Sequence, residues 1–309
     1  MKVLVTGGAG YLGTVLIEEL LKKGYEIRVV DNLMFGYKEI LKNTELISKD
    51  LTKLDLESIV KDVDAVIHLA SIVGDLATDL NKDYAIKLNF LTTQKLAKVC
   101  KEHEKRFIYS STCSVYGDQK DKEIDEKSEI SPVSVYALTK HAAEESILKL
   151  SDKNFKPLIF RMGTLFGLSH RMRFDLVINL FIAKALQEGK ITVFGGNQWR
   201  PFVHIRDASN FYIKALHNDY SGIFNIGGFN HKIVQVADII KRGIKCEVEV
   251  RKELEDKRNY MVSSEKAIKS FGLGFNKDIK FAISEIRKSD LGNYKNPIYH
   301  NSKIQEAYI

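Results

Sequence analysis

Cysteine is scarce in this 309-residue chain. Cys100, Cys113 and Cys246 are odd in number and far apart, which argues against a disulfide scaffold and suits a reducing compartment. Also missing is any uninterrupted apolar stretch long enough to cross a bilayer. No basic leader with an apolar core and cleavage site opens the chain. The expected location is the cytoplasm, with no membrane contact. Zinc-type Cys/His spacing, a basic arm and an aromatic RNA-binding pattern are all absent, so no metal and no nucleic acid are expected. The net charge of +7 comes from Lys and Arg interleaved with Asp and Glu along the chain. That pattern reads as a solvated surface, although a mildly positive protein does attract a diphosphate ligand. No internal repeat or low-complexity linker is visible.

What remains is an ordinary globular composition, 44% hydrophobic and 28% charged, in a length that buries one large core or two unequal lobes. Lys2–Thr6, Glu26–Asp31, Leu46–Ser48, Ala65–Leu69, Arg106–Ser110 and Pro157–Phe160 read as strands. Between them Tyr11–Lys23, Leu56–Lys61, Tyr84–His103 and Val135–Ser151 carry helical periodicity. Such alternation implies an α/β fold, a Rossmann-type doubly wound parallel sheet covered on both faces. After Arg161 the rhythm loosens. Leu176–Glu188 and Ile205–His217 read as helices, Ile191–Val193 as a strand, and Ile223–Ile226 as a strand able to rejoin the main sheet. Cys246–Val250, Ser264–Phe271 and Ile279–Ser289 suggest a smaller lobe. The expected division is a dinucleotide-binding domain over 1–162, rejoined by 201–228. A smaller mixed C-terminal substrate lobe is expected from 163–200 and 229–309.

The first strand runs into TGGAGYLG, with a helix opening inside the motif. Gly7 allows a tight turn, Gly10 lets the backbone approach a pyrophosphate, and Gly13 permits close helix–sheet packing. The amides around Tyr11 and Leu12 then face the phosphates, helped by the helix dipole. Asp31 ends the next strand, placed to accept hydrogen bonds from an adenosine ribose and to repel a 2′-phosphate. No Arg immediately follows it, so NAD is expected rather than NADP.

Tyr136 and Lys140 stand four residues apart at the start of a helical segment, which puts both on one face. A phenol is a poor base, with a reference pKa of about 10. A neighbouring ammonium and an oxidised nicotinamide favour the phenolate, and Tyr136 then serves to remove a proton from a sugar hydroxyl. The hydroxyl-rich run Ser110-Ser111-Thr112-Cys113-Ser114 follows a strand, where a hydroxyl can bond the same sugar oxygen. It also reads as a turn bonding its own backbone.

Together these residues resemble the extended short-chain dehydrogenase/reductase family, in its nucleotide-sugar epimerase/dehydratase branch. The matching pieces are TGGAGYLG, Asp31-Asn32-Leu33, Asp50-Leu51, His68-Leu69-Ala70-Ser71, SSTCSVYG, YALTK and RPFVHIRD at 200–207. The resemblance implies that Asp50 approaches the adenine and that Leu69 and Ala70 flank the cofactor. With them Asn32, Leu51, Ser71 and Asn89 complete the expected cofactor set, beside Tyr136 and Lys140. It implies Thr112 as the catalytic partner of Tyr136 and Lys140. Asn179, Arg200 and Arg258 match positions that hold the nucleotide diphosphate or its surroundings, and Ser111 and Thr164 join the expected substrate set. Homodimers pairing the helices around 84–103 and 135–151 are the family's habit, so a homodimer is expected.

One departure narrows the chemistry. Sugar 4,6-dehydratases of this kind carry Asp-Glu after the catalytic Thr, where this chain has Cys113-Ser114. Elimination of water is therefore not expected. A 4-epimerase is the leading expectation, with a nucleotide-sugar 4-dehydrogenase or 4-ketosugar reductase behind it, and a non-catalytic NAD-binding protein last. The stretch Phe166–Asp175, with Gln198-Trp199-Arg200 and Lys257-Arg258-Asn259-Tyr260, resembles a sub-branch whose members include enzymes oxidising C4 of GDP-heptoses. Cys113 and His170 are candidates for an epimerising acid–base pair, against the plainer readings of a packed thiol and a loop imidazole. Trp199 either covers a base or sugar or packs within the lobe.

Overall fold

A computed structural model of the chain describes residues 1–36, 39–251, 258–290 and 292–306. Fourteen strands lie within these residues. They are β1 (Lys2–Thr6), β2 (Glu26–Asp31), β3 (Glu45–Ser48), β4 (Ala65–His68), β5 (Arg106–Thr112), β6 (Asp118–Ile124) and β7 (Leu158–Met162). Next come β8 (Thr164–Phe166), β9 (Lys190–Phe194), β10 (Trp199–His204), β11 (Gly222–Ile226), β12 (Phe229–Lys232), β13 (Glu247–Arg251) and β14 (Asn259–Val262).

Seven of them form one parallel sheet in the order β11-β7-β5-β4-β1-β2-β3. Its central strands are apolar on both faces because helices cover both sides. Val3, Val5, Ile67, Ile108 and Phe160 pack on one side, and Leu4, Val66, Phe107, Tyr109 and Ile159 on the other. The sheet is the Rossmann-type arrangement that the alternation predicts. Ile223–Ile226 does rejoin it, extended by Gly222 to make β11.

The remaining strands make three small sheets, β12-β10-β8, β13-β9 and β14-β6. Periodicity overlooked most of these. β8 has three residues, and the sequence DQKDKEI of β6 has no apolar alternation, being exposed along most of its length. The long helix expected over 84–103 is interrupted. Lys82–Ile86 and Thr93–Glu102 flank a π-helical turn over Lys87–Thr92. That turn carries Asn89, whose side chain holds the loop after β4. Accommodating such a contact is a common reason for a π turn.

Among the described residues no helix is long and apolar enough to cross a membrane, and no group of His, Cys, Asp and Glu could hold a metal.

Candidate active site

The strand order reverses between β1 and β4, and a cavity of about 840 Å³ opens at the carboxyl ends of these strands. This is where open α/β sheets bind ligands. Gly7 leaves β1 with φ +73, and a Cβ on it would lie 2.7 Å from the Ala70 amide nitrogen. A Cβ on Gly13 would lie 2.4 Å from the Gly7 carbonyl oxygen. The glycine loop and the Leu69–Ser71 loop therefore touch across the switch point, and only glycine permits it. Gly10 differs, since a Cβ there would meet only the Gly7 carbonyl, at 3.2 Å. Gly10 faces the cavity. No side chain caps the helix Tyr11–Lys22 at Gly10, so its first-turn amides remain for an anion.

At one end of the cavity, Asp31 accepts from the Ala9 amide at 3.0 Å and the Leu33 amide at 2.7 Å. Burial raises its pKa, and the two amides work against that rise. Asn32, Asp50 and Leu51 line the same end. Tyr84 lines it too, its hydroxyl pushed up to about 12 by burial and then by the charge of Asp50. Arg171 comes here from the far side of the sequence. It donates to the Phe35 carbonyl at 2.9 Å and to Asn301 at 2.7 Å, and its charge acts on Asp31. Leu12, Leu69, Ala70 and Ser71 complete this part of the wall. The glycine cradle, the uncapped helix and an Asp31 on the cavity wall at the end of β2 fit a dinucleotide of the NAD kind.

At the other end, Ser111, Thr112, Tyr136, Lys140 and Thr164 line the wall. Ser134 caps the helix Val135–Lys149 by accepting from the Ala137 amide at 3.2 Å. The helix then presents Tyr136, Lys140 and Glu144 along one buried face. The Tyr136 hydroxyl is pushed up to about 12 by burial, with the neighbouring Thr112 hydroxyl and the charge of Arg173 opposing the rise. Burial lowers Lys140 to about 7, against the attraction of Glu144. The Lys140 ammonium lies 4.4 Å above the Tyr109 ring, which itself stacks on His68. His68 is bonded on both ring nitrogens, to Thr6 at 2.6 Å and Thr93 at 2.8 Å. Burial and then Lys140 depress it to about 3, so it stays neutral.

Two ion pairs flank this end. Arg173 grips Asp175 at 2.7 and 3.0 Å, and Arg258 pairs with Asp75 at 2.9 Å. Arg200 lines the wall beside them, donating to the carbonyls of Trp199 and Arg258 and lying over the Tyr260 ring.

Several expected residues stand elsewhere. Asn179 does not reach the cavity wall. Its amide is consumed by the Gly167 N–H, the Tyr11 hydroxyl and the Arg173 carbonyl. Tyr11 lines the cavity, but its hydroxyl turns inward and donates to Gly167. Asn89 is fully buried and holds Ser71 and Ile72. Cys113 is buried, donates to the Arg161 carbonyl, and has its thiol pushed up by burial. His170 is on the surface, 3.1 Å from Glu18. An epimerising Cys113–His170 pair is therefore absent. Trp199 lies under Lys232 and off the cavity wall, packing within the smaller sheets. Lys257 lies outside the described residues.

Sequence reasoning missed Arg171, Arg173, Asp75, Glu144 and Arg161. The first two sit in the Phe166–Asp175 stretch noted for its resemblance. Glu144 continues the four-residue spacing of Tyr136 and Lys140, a signal present in the sequence.

Fold and site together define an NAD-dependent enzyme of the extended short-chain dehydrogenase/reductase kind. Residues 3–227 match the NAD dependent epimerase/dehydratase family, and the chain belongs to that family. A putative UDP-glucose 4-epimerase of Methanocaldococcus jannaschii is 32% identical over 252 residues, 78% of this chain and 82% of that protein. UDP-glucuronic acid decarboxylase 1 of Xenopus tropicalis is 30% identical over 274 residues, 82% of this chain and 63% of its own length. The structure of UDP-glucuronic acid 4-epimerase from Bacillus cereus with UDP-glucuronic acid and NAD superposes over the full length of both chains. Its TM-score is 0.81 at 25% identity.

Proposed function

We propose that the protein is a nucleotide-sugar 4-epimerase that acts as a homodimer. The observation that carries this reading is the convergence of Thr112, Tyr136 and Lys140 on the wall of one cavity, with Tyr136 and Lys140 on the same helix face. NAD, when bound, would accept the C4 hydride and give it back to the other face of the ketosugar. Tyr136 takes the proton of the C4 hydroxyl, and Thr112 holds the oxygen that becomes a ketone. Lys140 stabilises the phenolate. After the ketosugar turns over, Tyr136 returns the proton and C4 is inverted.

Elimination of water lacks its groups. An elimination needs a carboxylic acid beside Thr112, but Cys113 is buried and Ser114 is occupied with Thr112. The nearby carboxylates of Asp75 and Asp175 are paired with Arg258 and Arg173. Arg200 and Arg258 are suited to the diphosphate. Exposed Leu138, Leu91 and Ile86 on adjoining helical segments support the dimer.

Proton NMR in heavy water with NAD, over UDP-, GDP-, CDP- and dTDP-sugars, tests the reading. A C4-inverted product without deuterium supports a 4-epimerase, because its hydride never meets solvent. A ketosugar with accumulating NADH would make the protein a 4-dehydrogenase instead. Tyr136→Phe should cost at least about a hundredfold in turnover, with NAD binding kept.

A further inference from the structure

Asp75 has no part in the chemistry above, yet it lines the same cavity as Thr112 and Tyr136. The loop that delivers it is pinned from two sides. Asn89 accepts from the Ser71 hydroxyl and the Ile72 amide, both at 2.9 Å, and donates to the Ile72 carbonyl at 3.0 Å. Asn301 donates to the Val73 carbonyl at 3.4 Å. Gly74, with φ +99 and open space around it, then turns the chain into Asp75.

The two oxygens of Asp75 have different surroundings. Oδ2 pairs with Arg258 at 2.9 Å. Oδ1 is sealed from solvent, and no group among the described residues donates to it. A carboxylate only accepts hydrogen bonds, and buried polar atoms are nearly always bonded. An orphaned acceptor on a ligand cavity therefore calls for a donor on the ligand. The charge of Asp75 also acts on the Tyr136 hydroxyl across the cavity that both line, and disfavours its ionisation.

We propose that Asp75 is the sugar-recognition residue: its carboxylate accepts a hydrogen bond from a hydroxyl of the hexose, while Arg258 bridges it to the nucleotide diphosphate. This rests on the nucleotide-sugar reading. It makes Asp75 a specificity determinant, since a site built to accept from a hydroxyl rejects a sugar lacking it.

The test is calorimetric titration of the NAD-loaded protein with UDP, GDP, CDP and dTDP, and with UDP-glucose, GDP-mannose, CDP-glucose and dTDP-glucose. In the wild type the sugar adds affinity over the bare diphosphate for the base that binds. Asp75→Asn should lower nucleotide-sugar affinity about tenfold to a hundredfold, the loss expected for a hydrogen bond to a charged group. Affinity for the bare diphosphate should stay within about threefold, because the phosphates keep their Arg200 and Arg258 partners. Asp75→Glu keeps the carboxylate and should recover part of the loss. In steady-state kinetics, Asp75→Asn should also move the acid limb of the kcat/KM profile to lower pH, a shift that a merely structural role would not cause.

An unchanged sugar increment overturns the inference. So does a loss shared equally by sugar and bare diphosphate, which would mean that Asp75 serves only to hold Arg258. A wild-type protein that binds none of these ligands sinks the nucleotide-sugar reading itself, and this inference with it.

Discussion

Glu144 and Arg161 face each other as a bidentate ion pair beneath Ser111, with contacts of 2.7 and 3.0 Å and almost no solvent exposure. Strand register sets this up. Ser111, Arg161 and Asn225 are directly paired neighbours on β5, β7 and β11, so three polar residues cross the sheet in one row. Glu144 accepts a hydrogen bond from the Ser111 hydroxyl at one end of the row, and Tyr116 joins Arg161 to Asn225 at the other. Behind Ser111 on the cavity wall the packing is thus an ionic lattice rather than an apolar one.

Removing one partner of such a pair leaves a buried charge alone. Glu144→Gln should therefore cost about 3–5 kcal/mol of stability, read by urea unfolding at pH 7. Burial pushes the Glu144 carboxyl up, but interactions with His141 and Arg161 win and hold it below its ordinary value. A depressed carboxylate gives stability that is present above its unfolded pKa and is lost as pH falls through the folded one. The gap between wild type and Glu144→Gln should stay level from pH 8 to about 5, then close on further acidification. A gap independent of pH would mean that the pair's charge contributes nothing.

Lys140 has the opposite sign. Its folded pKa, about 7, lies below the 10.5 of the free side chain. Between those values the unfolded chain binds a proton that the folded one does not, so stability rises with pH. The burden on the folded state is complete below about pH 7 and fades towards pH 10. Without cofactor, Lys140→Met should accordingly be more stable than wild type at pH 7, with the difference shrinking as pH rises. Turnover should fall by at least about a hundredfold. Thermal melts at four pH values decide it, and a variant less stable at pH 7 would refute the assigned burial cost.

The two cavity glycines separate folding from binding. Gly13→Ala forces a Cβ within 2.4 Å of backbone, so it should lower both melting temperature and NADH affinity. Gly10→Ala has only one contact, at 3.2 Å, and leaves the fold alone. Its methyl group stands where a pyrophosphate must approach the backbone, so NADH fluorescence titration should show weaker binding at an unchanged melting temperature. Equal affinity for Gly10→Ala and wild type would remove the phosphate cradle from this loop.

Much of this was legible in the sequence because it is local. A strand entering a glycine-rich helix start, and an acid at the end of the next strand, are short-range patterns with a direct physical reason. The four-residue spacing of Tyr136 and Lys140 belongs with them. The illegible part depends on long-range packing. Asn179 looked like a phosphate ligand by position, yet Gly167 and Tyr11 claim its amide. Arg171 meets Phe35 and Asn301 across 136 and 130 residues, a closure that no local pattern announces. The Asp75–Arg258 pair joins residues far apart in the sequence in the same way.

The last prediction concerns the surface opposite the catalytic face. Leu138 lies between Tyr136 and Lys140 in sequence, about 200° around the helix from each. It is 52% exposed, and Leu91 and Ile86 on the adjoining helical segments are 42% and 39% exposed. A single exposed leucine needs no explanation, but a run of them across packed helices suggests a partner surface. A two-fold dimer would bring the same patch of each copy together, burying all three side chains without touching Tyr136. Wild-type protein should scatter light at twice the 35.1 kDa chain mass at micromolar concentration. Leu138→Glu should scatter as a monomer with unchanged circular dichroism, because the substituted side chain points away from the sheet. A wild-type monomer would remove the dimer from the proposal, and a dimeric Leu138→Glu would move the interface to another face.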